Sequence, residues 1–486
     1  MVLAATIQQH ADTLCTQQSW ITDGHYTCSY QELPDLLAAV DRRLRGMVDP
    51  NACLALECSN TLPTALNLIC LLQGNYRWML LPPGATHEQG AERKPVPAMC
   101  QYLLRLNPAT SNSWPQAAML DLVVNEHYQG EATASPEAQL YLRTSGSMGV
   151  SKIVAHTSGK LLANARSCVE RFQLTASDRV AMAVPIFHMY GLGAGFLPAL
   201  LAGASIDLQE HSHVLRYFER ERQFNPTVAY LTPALCAMIL ERRRSPRPYR
   251  VAVSAGARLK EELIRAFAAQ SGPLLNLYGS TELGAIAAPA PDDPLELRAT
   301  TIGRPMAGVR LALAAQLQAA TSDGAPAEAL TDELYCQHPA GFAAYLDDDG
   351  RLMSQAAVWF KTGDLARLDP DGSIRILGRA DNSVNRDGYL VLLSDIETAL
   401  ETTAAIAQTV VLVSELEGKR GQRLVAFCSL KPGMALTPEQ LRAASFAVLP
   451  RYAVPDEIVI MPTLPTLPSG KVDRQALRVP RGEPHA

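Results

Sequence analysis

Residues 139–172 have the sequence QLYLRTSGSMGVSKIVAHTSGKLLANARSCVERF. The first four residues, Gln139 to Leu142, predict a strand, and a loop rich in glycine and serine follows. Apolar residues then recur at helical spacing, at Leu161, Leu162, Ala165, Cys168, Val169 and Phe172. A strand, a loop and a helix in this order form the repeating unit of an α/β protein.

The same alternation continues along the chain. Further buried strands are predicted at residues 180–186, 228–231, 251–254 and 274–277, with helical segments such as 261–269 between them. Near residue 380 the pattern changes to that of a small α+β unit. We therefore predict an α/β fold with a large N-terminal domain of layered sheets and helices, residues 1–380, and a small α+β C-terminal domain, residues 381–486.

Within the second unit, the sequence predicts particular elements. Ser394 and Glu397 have the spacing of a capping box, which predicts the start of a helix. A second helix is predicted to begin near Thr437. Three strands are predicted, at residues 410–413, 424–430 and 457–460.

Composition excludes several classes of function. Of the 486 residues, 48% are hydrophobic and 19% are charged. The net charge is -5, so the chain lacks the excess of basic residues that is typical of a nucleic-acid-binding protein. The most apolar stretch, residues 62–81, contains too many polar residues to span a membrane, and the N-terminus lacks the pattern of a signal peptide. The ten cysteines have no metal-binding spacing. We therefore expect a cytoplasmic protein with free thiols.

The loop at residues 144–152 is the first candidate site. Its glycines allow backbone N–H groups to turn toward an anion, and its hydroxyls and lysine add donors for phosphate oxygens. The spacing is not that of a Walker A loop. An ordinary surface loop remains an alternative on these residues alone. The donors are Thr144, Ser145, Gly146, Ser147, Gly149 and Lys152.

Three further clusters follow along the chain. Small residues at the end of a predicted strand, Ser254, Ala255 and Gly256, leave room for a flat ring, and Tyr278, Gly279, Ser280, Thr281 and Glu282 end the next one. A threonine beside a carboxylate is suited to a phosphate and its Mg²⁺. Asp364 could accept ribose hydroxyls, with Arg379 nearby as a donor. Lys471 lies in a glycine-bearing loop and could reach a phosphate or a carboxylate.

In this order and at these separations, the four clusters resemble those of the acyl-adenylate-forming superfamily. Its members include acyl- and aryl-CoA ligases, stand-alone adenylation enzymes and firefly luciferase. The resemblance covers nearly the whole chain, and it implies a small mobile C-terminal domain with the active site between the two domains.

The resemblance also implies roles for single residues. Residues 144–152 match the phosphate loop, and Ser254, Ala255, Gly256, Tyr278, Gly279 and Ser280 match the nucleotide-binding segments. Thr281 matches the phosphate-contacting threonine and Glu282 the Mg²⁺-associated glutamate. Asp364 and Arg379 match the ribose-binding pair, Asp381 falls at the hinge, and Lys471 matches the lysine that bridges the acid and the α-phosphate.

Three positions depart from the family pattern. Met148 replaces the usual serine or threonine, Ser151 replaces proline, and Asn385 stands where many relatives have lysine. These departures give some weight to a non-catalytic homologue. The presence of Glu282 and Lys471 argues against that alternative.

The segment at residues 187–191, FHMYG, resembles the segment that lines the acyl pocket of acyl-CoA ligases. Residues 184–201 contain no Asp or Glu that could pair with an α-ammonium group, and burying an unpaired ammonium is costly. We therefore expect a fatty or aryl acid and not an α-amino acid. His188 and Tyr190 are the candidate polar anchors of the pocket, with His188 in a catalytic or gating role.

The expected reaction is ATP-dependent formation of an acyl-adenylate, with Mg²⁺, followed by transfer to a phosphopantetheine thiol. Gly388 matches a position where relatives let pantetheine pass the backbone. CoA is slightly favoured over a carrier protein as the acceptor, and both acceptors suit cations at residues 386, 419, 420, 423 and 451. A monooxygenase like luciferase is a further alternative, although nothing in the sequence specifies oxygen chemistry.

Overall fold

The structure is a computed structural model. It describes the whole chain except residues 1, 14–18, 50, 75, 85–95, 107–113, 116–119, 130–138, 145–151, 211–213, 244, 246, 258, 320–330, 387–388, 419–420, 467–471, 475 and 478–486. For residues 319, 381, 383, 385, 389–390, 415–418 and 421–422 it describes the backbone alone.

The described chain divides into two compact units. Unit 1 comprises residues 1–312, 335–360 and 369–375, and unit 2 comprises residues 313–334, 361–368 and 376–486. The fold is α/β with a larger N-terminal part and a smaller C-terminal part, so the predicted fold class is confirmed. No helix in the described ranges is long and apolar enough to cross a membrane.

Unit 1 contains a nine-stranded sheet with the order β15-β14-β13-β12-β11-β9-β10-β1-β2. The six strands from β13 to β1 in this order are mutually parallel, and antiparallel strands lie at both edges. The strands are β1 (Trp20–Thr22), β2 (Thr27–Ser29), β9 (Arg179–Met182), β10 (Ser205–Leu208), β11 (Val228–Leu231), β12 (Val251–Ala255), β13 (Leu274–Ser280), β14 (Gly284–Ala288) and β15 (Arg304–Pro305).

A second sheet of unit 1 has eight strands in the order β19-β18-β8-β7-β4-β3-β5-β6. Its central pairs β3–β4, β3–β5 and β4–β7 are parallel, and the pairs toward both edges are antiparallel. The strands are β3 (Cys53–Glu57), β4 (Arg77–Leu81), β5 (Tyr102–Arg105), β6 (Asp121–Val124), β7 (Leu140–Thr144), β8 (Lys152–His156), β18 (Ala344–Leu346) and β19 (Leu352–Gln355).

A five-stranded sheet lies in unit 2. It has the order β23-β22-β25-β24, with β26 pairing in parallel with β25. Its strands are β22 (Ser383–Arg386), β23 (Tyr389–Leu392), β24 (Ile406–Gly418), β25 (Gly421–Leu430) and β26 (Glu457–Met461). A further four-stranded sheet has the order β16-β17-β20-β21, formed by β16 (Arg310–Leu313), β17 (Thr331–Gln337), β20 (Phe360–Leu368) and β21 (Ile374–Arg379).

Helices connect these strands. The α-helices are α1 (Val2–Thr13), α2 (Leu33–Met47), α3 (Leu62–Gln73), α4 (Ser158–Phe172), α5 (Leu197–Ala202), α6 (Val214–Phe224), α7 (Pro233–Arg242), α8 (Glu261–Ser271), α9 (Leu295–Thr300), α10 (Ala314–Ala319), α11 (Leu393–Glu401) and α12 (Pro438–Ser445). A π-helix spans Tyr190–Phe196 and a 3-10 helix spans Ala380–Asn382.

The parallel strands are buried over nearly their whole length, which explains their continuous apolar sequences. All residues of β3 and β11 are buried. Helix α4 begins where Thr157 accepts a hydrogen bond from the N–H of Lys160, as an N-cap threonine does. Most predicted strands and helices of the parallel region are confirmed with boundaries shifted by a few residues.

One predicted strand is shorter than expected. The sequence predicts residues 180–186, but β9 ends at Met182. Beyond that residue, the side-chain amide of Asn60 donates hydrogen bonds to the carbonyls of Met182 and Val184. Pro185 has no N–H to continue a ladder. The side chain of Asn60, from another part of the chain, therefore supplies these carbonyls with donors where a neighbouring strand would otherwise do so.

The predicted helix starts of unit 2 differ in outcome. Helix α12 begins after Thr437, whose hydroxyl and Gln440 form a capping box, as predicted in position. The capping box predicted at Ser394 and Glu397 is wrong, because α11 begins at Leu393 with no side-chain cap. The Glu397 carboxylate instead accepts from the N–H of Val411.

Candidate functional site

The carboxyl end of the nine-stranded sheet brings together the two segments of the second predicted cluster. Strands β12 and β13 are parallel, with Ala255 opposite Leu277. Ser254, Ala255 and Gly256 therefore lie beside the segment that begins at Tyr278. Loops at the carboxyl ends of parallel strands are where α/β sheets bind ligands.

The turn after β13 depends on the absence of a side chain at Gly279. A Cβ atom there would overlap the carbonyl oxygen of Gly284 on the neighbouring strand. Gly284 has a positive φ of 72°, and the N–H of Ala285 donates to the Oδ1 of Asn164 at 2.8 Å. The Oγ of Ser280 accepts from the N–H of Leu283 at 3.1 Å. This tight turn places Thr281 and Glu282 half-buried at its apex.

The backbone of Thr281 is held by a buried histidine of the other sheet. His156, at the end of β8, has its Nε2 atom 2.8 Å from the carbonyl oxygen of Thr281. A carbonyl oxygen only accepts, so Nε2 carries the proton. Burial lowers the pKa of His156 to about 4, and the positive charge of Lys160 adds to this effect. His156 is therefore neutral at physiological pH.

A second histidine holds the other side of the same turn. The Nε2 of His338 lies 2.8 Å from the carbonyl oxygen of Ala285, and its Nδ1 accepts from the N–H of Ala340 at 3.0 Å. Donation through Nε2 and acceptance through Nδ1 define the neutral tautomer. Burial also lowers the pKa of His338.

The carboxylate of Glu282 receives a hydrogen bond from Tyr345 on β18. The hydroxyl of Tyr345 is 2.9 Å from the Oε1 of Glu282, and the N–H of Phe342 donates to the Glu282 carbonyl at 2.7 Å. The ammonium of Lys152 lies 5.1 Å from the centroid of the Tyr345 ring. The structure therefore brings Lys152, from one predicted cluster, close to Glu282, from another.

Most of the glycine-rich loop lies outside the described residues, namely Ser145, Gly146, Ser147, Met148, Gly149, Val150 and Ser151. Its two ends are described. Thr144 and Lys152 face each other across the antiparallel pair β7–β8, and the Thr144 hydroxyl is 3.4 Å from the Lys152 carbonyl. The hairpin thus fixes both ends of the loop on the sheet that carries Tyr345.

The predicted acyl-pocket segment follows β9. His188 is exposed, and its ring centroid lies 4.4 Å from that of Phe187. The hydroxyl of Tyr190 is 2.7 Å from the carbonyl of Val253 and 3.1 Å from that of Leu231. The proton of this hydroxyl is used within the fold, which counts against Tyr190 as a polar anchor that donates a hydrogen bond in the pocket.

Asp364 and Arg379 come together within unit 2. The Nη1 of Arg379 is 3.4 Å from the Oδ1 of Asp364 and donates to the carbonyl of Thr362 at 3.0 Å. Gly363, between Thr362 and Asp364 in sequence, has a positive φ of 74°. A Cβ atom on it would lie 2.7 Å from the guanidinium of Arg379. The predicted pair is thus in contact, with the carboxylate more buried than the guanidinium.

Lys471 lies outside the described residues, as do the preceding Ser469 and Gly470. The segment around them is fixed at both ends, because Thr466 forms a β-bridge with Val472 and the N–H of Asp473 donates to the carbonyl of Pro465. The guanidinium of Arg474 forms an ion pair with Glu397 at 2.7 Å. Asp381, the predicted hinge, lies in the 3-10 helix Ala380–Asn382.

Two of the cations considered for the thiol acceptor are engaged in ion pairs. Arg386 is 1% exposed and donates through Nη2 to both oxygens of Asp456 at 2.9 Å, which contradicts its prediction as an accessible cation for the thiol acceptor. Arg423 pairs with Glu457 at 2.7 Å and is half-buried. Gly388 and the candidate cations Lys419 and Arg420 lie outside the described residues.

Sequence reasoning missed three residues of the site: His156, His338 and Tyr345. Each lies far along the chain from the turn that it contacts, and none forms part of a short motif. A histidine within the apolar strand of residues 153–156 was the only signal that the sequence offered.

The chain is similar to known proteins over most of its length. The family model of AMP-binding enzymes matches residues 87–346, and the model of their C-terminal domain matches residues 395–471. The chain is 29% identical over 343 residues to an indoleacetate–CoA ligase of Aromatoleum aromaticum, covering 69% of the chain and 66% of that ligase. It is 28% identical over 367 residues to a salicylyl-CoA synthase / salicylate adenylyltransferase of Streptomyces, covering 72% and 65%.

The chain thus spans just under two thirds of the length of these two relatives. Among solved structures, the o-succinylbenzoate coenzyme A synthetase of Bacillus subtilis in complex with AMP matches with a TM-score of 0.78 and 21% identity. The match covers 98% of both chains. At this identity the likeness establishes the fold alone.

Proposed function

The chain belongs to the family of AMP-binding enzymes, and from that membership we propose that it is an ATP-dependent acid–thiol ligase. It activates a carboxylic acid as an acyl-adenylate and transfers the acyl group to CoA. The observation that carries this proposal is the turn Thr281–Glu282, which lies at the carboxyl edge of the large sheet and is joined through Tyr345 to Lys152.

The reaction has two steps. In the first, a carboxylate oxygen of the acid attacks the α-phosphorus of ATP, and pyrophosphate leaves. In the second, the thiolate of CoA attacks the carbonyl carbon of the mixed anhydride, and AMP leaves with the electron pair. Both steps depend mainly on positioning and on charge stabilisation.

The residues of the site fit Mg²⁺ that arrives with ATP. Mg²⁺ usually binds through one or two carboxylates together with substrate phosphates. Glu282 supplies one carboxylate, and within the described ranges no group of three or more His, Cys, Asp or Glu residues could hold a metal ion. When bound, the ion would neutralise charge on the phosphate oxygens.

The chain's own residues supply the other contacts. Lys152 and the hydroxyl of Thr281 bind phosphate oxygens, and Asp364 accepts the ribose hydroxyls, with Arg379 holding it in place. Lys471 neutralises the charge that develops between the carboxylate and the α-phosphate. The nucleotide base lies against the small residues Ser254, Ala255 and Gly256 and against Tyr278.

We propose an aryl or fatty acid as the substrate. The segment at residues 184–201 has no carboxylate for an α-ammonium group, and residues 191–200 are buried. The names of the two relatives, which contain indoleacetate and salicylate, support an aryl acid. The same names favour CoA over a carrier protein. The nine cysteines that the structure describes are free buried thiols, which supports a reducing cytoplasm.

The test is substrate-dependent exchange of labelled pyrophosphate into ATP, measured across panels of aryl, fatty, hydroxy and amino acids. We expect exchange with at least one aryl or fatty acid and none with α-amino acids. Absence of exchange with every acid would support the non-catalytic alternative.

The acceptor is tested with the accepted acid, ATP and either free CoA or a panel of holo-carrier proteins. We expect acyl-CoA, detected by mass spectrometry. Rapid acylation of one carrier with negligible turnover of CoA would instead identify a carrier-protein ligase. In that case the adenylation step would still stand.

A further inference from the structure

Tyr345 contacts two groups that the proposed function assigns to the nucleotide. Its hydroxyl is 2.9 Å from the Oε1 of Glu282, and its ring centroid is 5.1 Å from the ammonium of Lys152. All three residues lie in unit 1. One side chain therefore touches both the carboxylate proposed for Mg²⁺ and the cation proposed for phosphate.

The strand pairing explains how one side chain reaches both groups. Strand β18 pairs antiparallel with β8, so that Tyr345 lies opposite Val154, two residues from Lys152. The ring of Tyr345 has a cationic neighbour, Lys152, and an aromatic neighbour, Phe342, whose ring centroid lies 4.7 Å away. Phe342 donates its N–H to the carbonyl of Glu282, so the backbone and the side chain of the glutamate are held by the same segment.

The hydrogen bond from Tyr345 engages one of the two carboxylate oxygens of Glu282. Oε1 accepts from Tyr345, whereas Oε2 has no hydrogen-bond partner among the residues that the structure describes. An ionised carboxylate has room for about four hydrogen bonds or a metal ligand. The glutamate side chain is thus restrained in direction and has one oxygen available for a cation.

The phenol remains a donor in this position. Burial and the adjacent Glu282 carboxylate raise the pKa of Tyr345 well above its ordinary value. The ring face also attracts the Lys152 ammonium through its quadrupole. The hydroxyl and the ring thus perform separate tasks, which substitution can separate.

We propose that Tyr345 is a positioning residue for Mg·ATP, orienting Glu282 through its hydroxyl and Lys152 through its ring. This inference rests on the proposed function. It predicts that loss of the hydroxyl weakens the Mg²⁺-dependent part of ATP binding. It also predicts that loss of the ring weakens the binding of ATP in the absence of Mg²⁺.

The test is isothermal titration calorimetry of ATP binding to the full chain without an acid, with Mg²⁺ and with EDTA. The variants are Tyr345→Phe, which keeps the ring, and Tyr345→Leu, which removes it. The matched control is Tyr335→Phe on β17, since within the described ranges its hydroxyl makes no hydrogen bond to a carboxylate. Thermal unfolding of each variant checks that the fold is retained.

We expect Tyr345→Phe to weaken Mg·ATP binding about tenfold while binding in EDTA stays within about twofold, because a hydrogen bond to a charged group is lost. Tyr345→Leu should weaken binding in both conditions, by about threefold in EDTA. Tyr335→Phe should match the natural chain. A double-mutant cycle with Glu282→Ala, which removes the acceptor of the Tyr345 hydroxyl, should show that the Tyr345→Phe effect disappears.

Three results would overturn the inference. They are an unchanged Mg²⁺ dependence in Tyr345→Phe, equal losses with Mg²⁺ and with EDTA, or additive effects in the double-mutant cycle. Failure of the natural chain to bind ATP would instead reject the proposed function, and the inference with it. The binding of ATP to the natural chain therefore distinguishes failure of the proposed function from failure of the inference about Tyr345.

Discussion

The imidazole of His156 donates from Nε2 to the carbonyl oxygen of Thr281 at 2.8 Å, although the two residues are 125 positions apart in sequence. The contact joins the end of β8, in the eight-stranded sheet, to the turn after β13, in the nine-stranded sheet. A hydrogen bond in that position requires no positive charge on the imidazole. Its burial makes such a charge unfavourable.

The first prediction concerns stability and pH. The pKa of His156 is about 4 in the folded chain, compared with 6.5 for an unperturbed histidine. Between these values the unfolded chain binds the extra proton, so stability falls as the pH decreases from about 6.5 to 4, by up to about 1.4 kcal/mol per pH unit. His156→Asn keeps an N–H donor but does not titrate, and should reduce this slope in urea unfolding.

His338, whose pKa is also lowered, contributes to the same slope, so the variant should flatten it only in part. His25→Asn is the control, because His25 is exposed. Equal slopes for the natural chain and His156→Asn would contradict the prediction.

The second prediction concerns Glu282. Glu282→Gln preserves size and the bond to Tyr345 but removes the negative charge, and should reduce ATP–pyrophosphate exchange about a hundredfold. The control is Glu296→Gln, at an exposed carboxylate paired with Arg265. Exchange within about threefold of the natural chain would show that Glu282 has no essential role.

The third prediction concerns the pair Asp364 and Arg379. Asp364→Asn removes the charge next to Arg379 and one oxygen of the proposed ribose acceptor, and should raise the KM for ATP about tenfold, with a smaller change in the KM for the acid. Asp349→Asn, in a turn of unit 1, is the control. An equal rise in both KM values would indicate a general loss of structure instead.

The fourth prediction separates the two half-reactions. Lys471→Ala should nearly abolish adenylation but spare acyl transfer from a supplied acyl-adenylate, because the proposed function places its charge at the α-phosphate. Single-turnover assays of each half-reaction test this, with the exposed Lys431→Ala as the control. Equal loss in both halves is the result that the prediction does not allow.

The fifth prediction concerns Arg474, which lies three residues after Lys471. Its guanidinium forms an ion pair with Glu397. Burial raises the pKa of Glu397, and Arg474 opposes this effect. Arg474→Met leaves the carboxylate without its cation and should cost about 1–3 kcal/mol of stability. It should also slow adenylation more than acyl transfer, in the direction of Lys471→Ala. The double variant Arg474→Met with Glu397→Gln should recover most of the stability, and a further loss would contradict the pairing.

Local pattern predicted most of the fold. The buried parallel strands β11 and β12 have continuous apolar sequences that identify them without tertiary information, because both faces of such strands are covered. The prediction of residues 180–186 failed where the ladder is replaced by the Asn60 amide, which lies more than 120 residues away. The capping box at Ser394 failed because Glu397 is drawn to Arg474 and the N–H of Val411 instead.

The sequence by itself determined the chemical types at the site and their order, since Thr281, Glu282, Asp364 and Lys471 stand in short motifs whose residue types suit phosphate, ribose and carboxylate. Only the tertiary structure decided how Glu282 and Thr281 are held. His156, His338 and Tyr345 reach the turn from other strands, and Arg386, which in sequence looks available, is buried against Asp456. The physical reason is that hydrogen bonds and ion pairs depend on distances of about 3 Å across strands, and sequence spacing does not specify those distances.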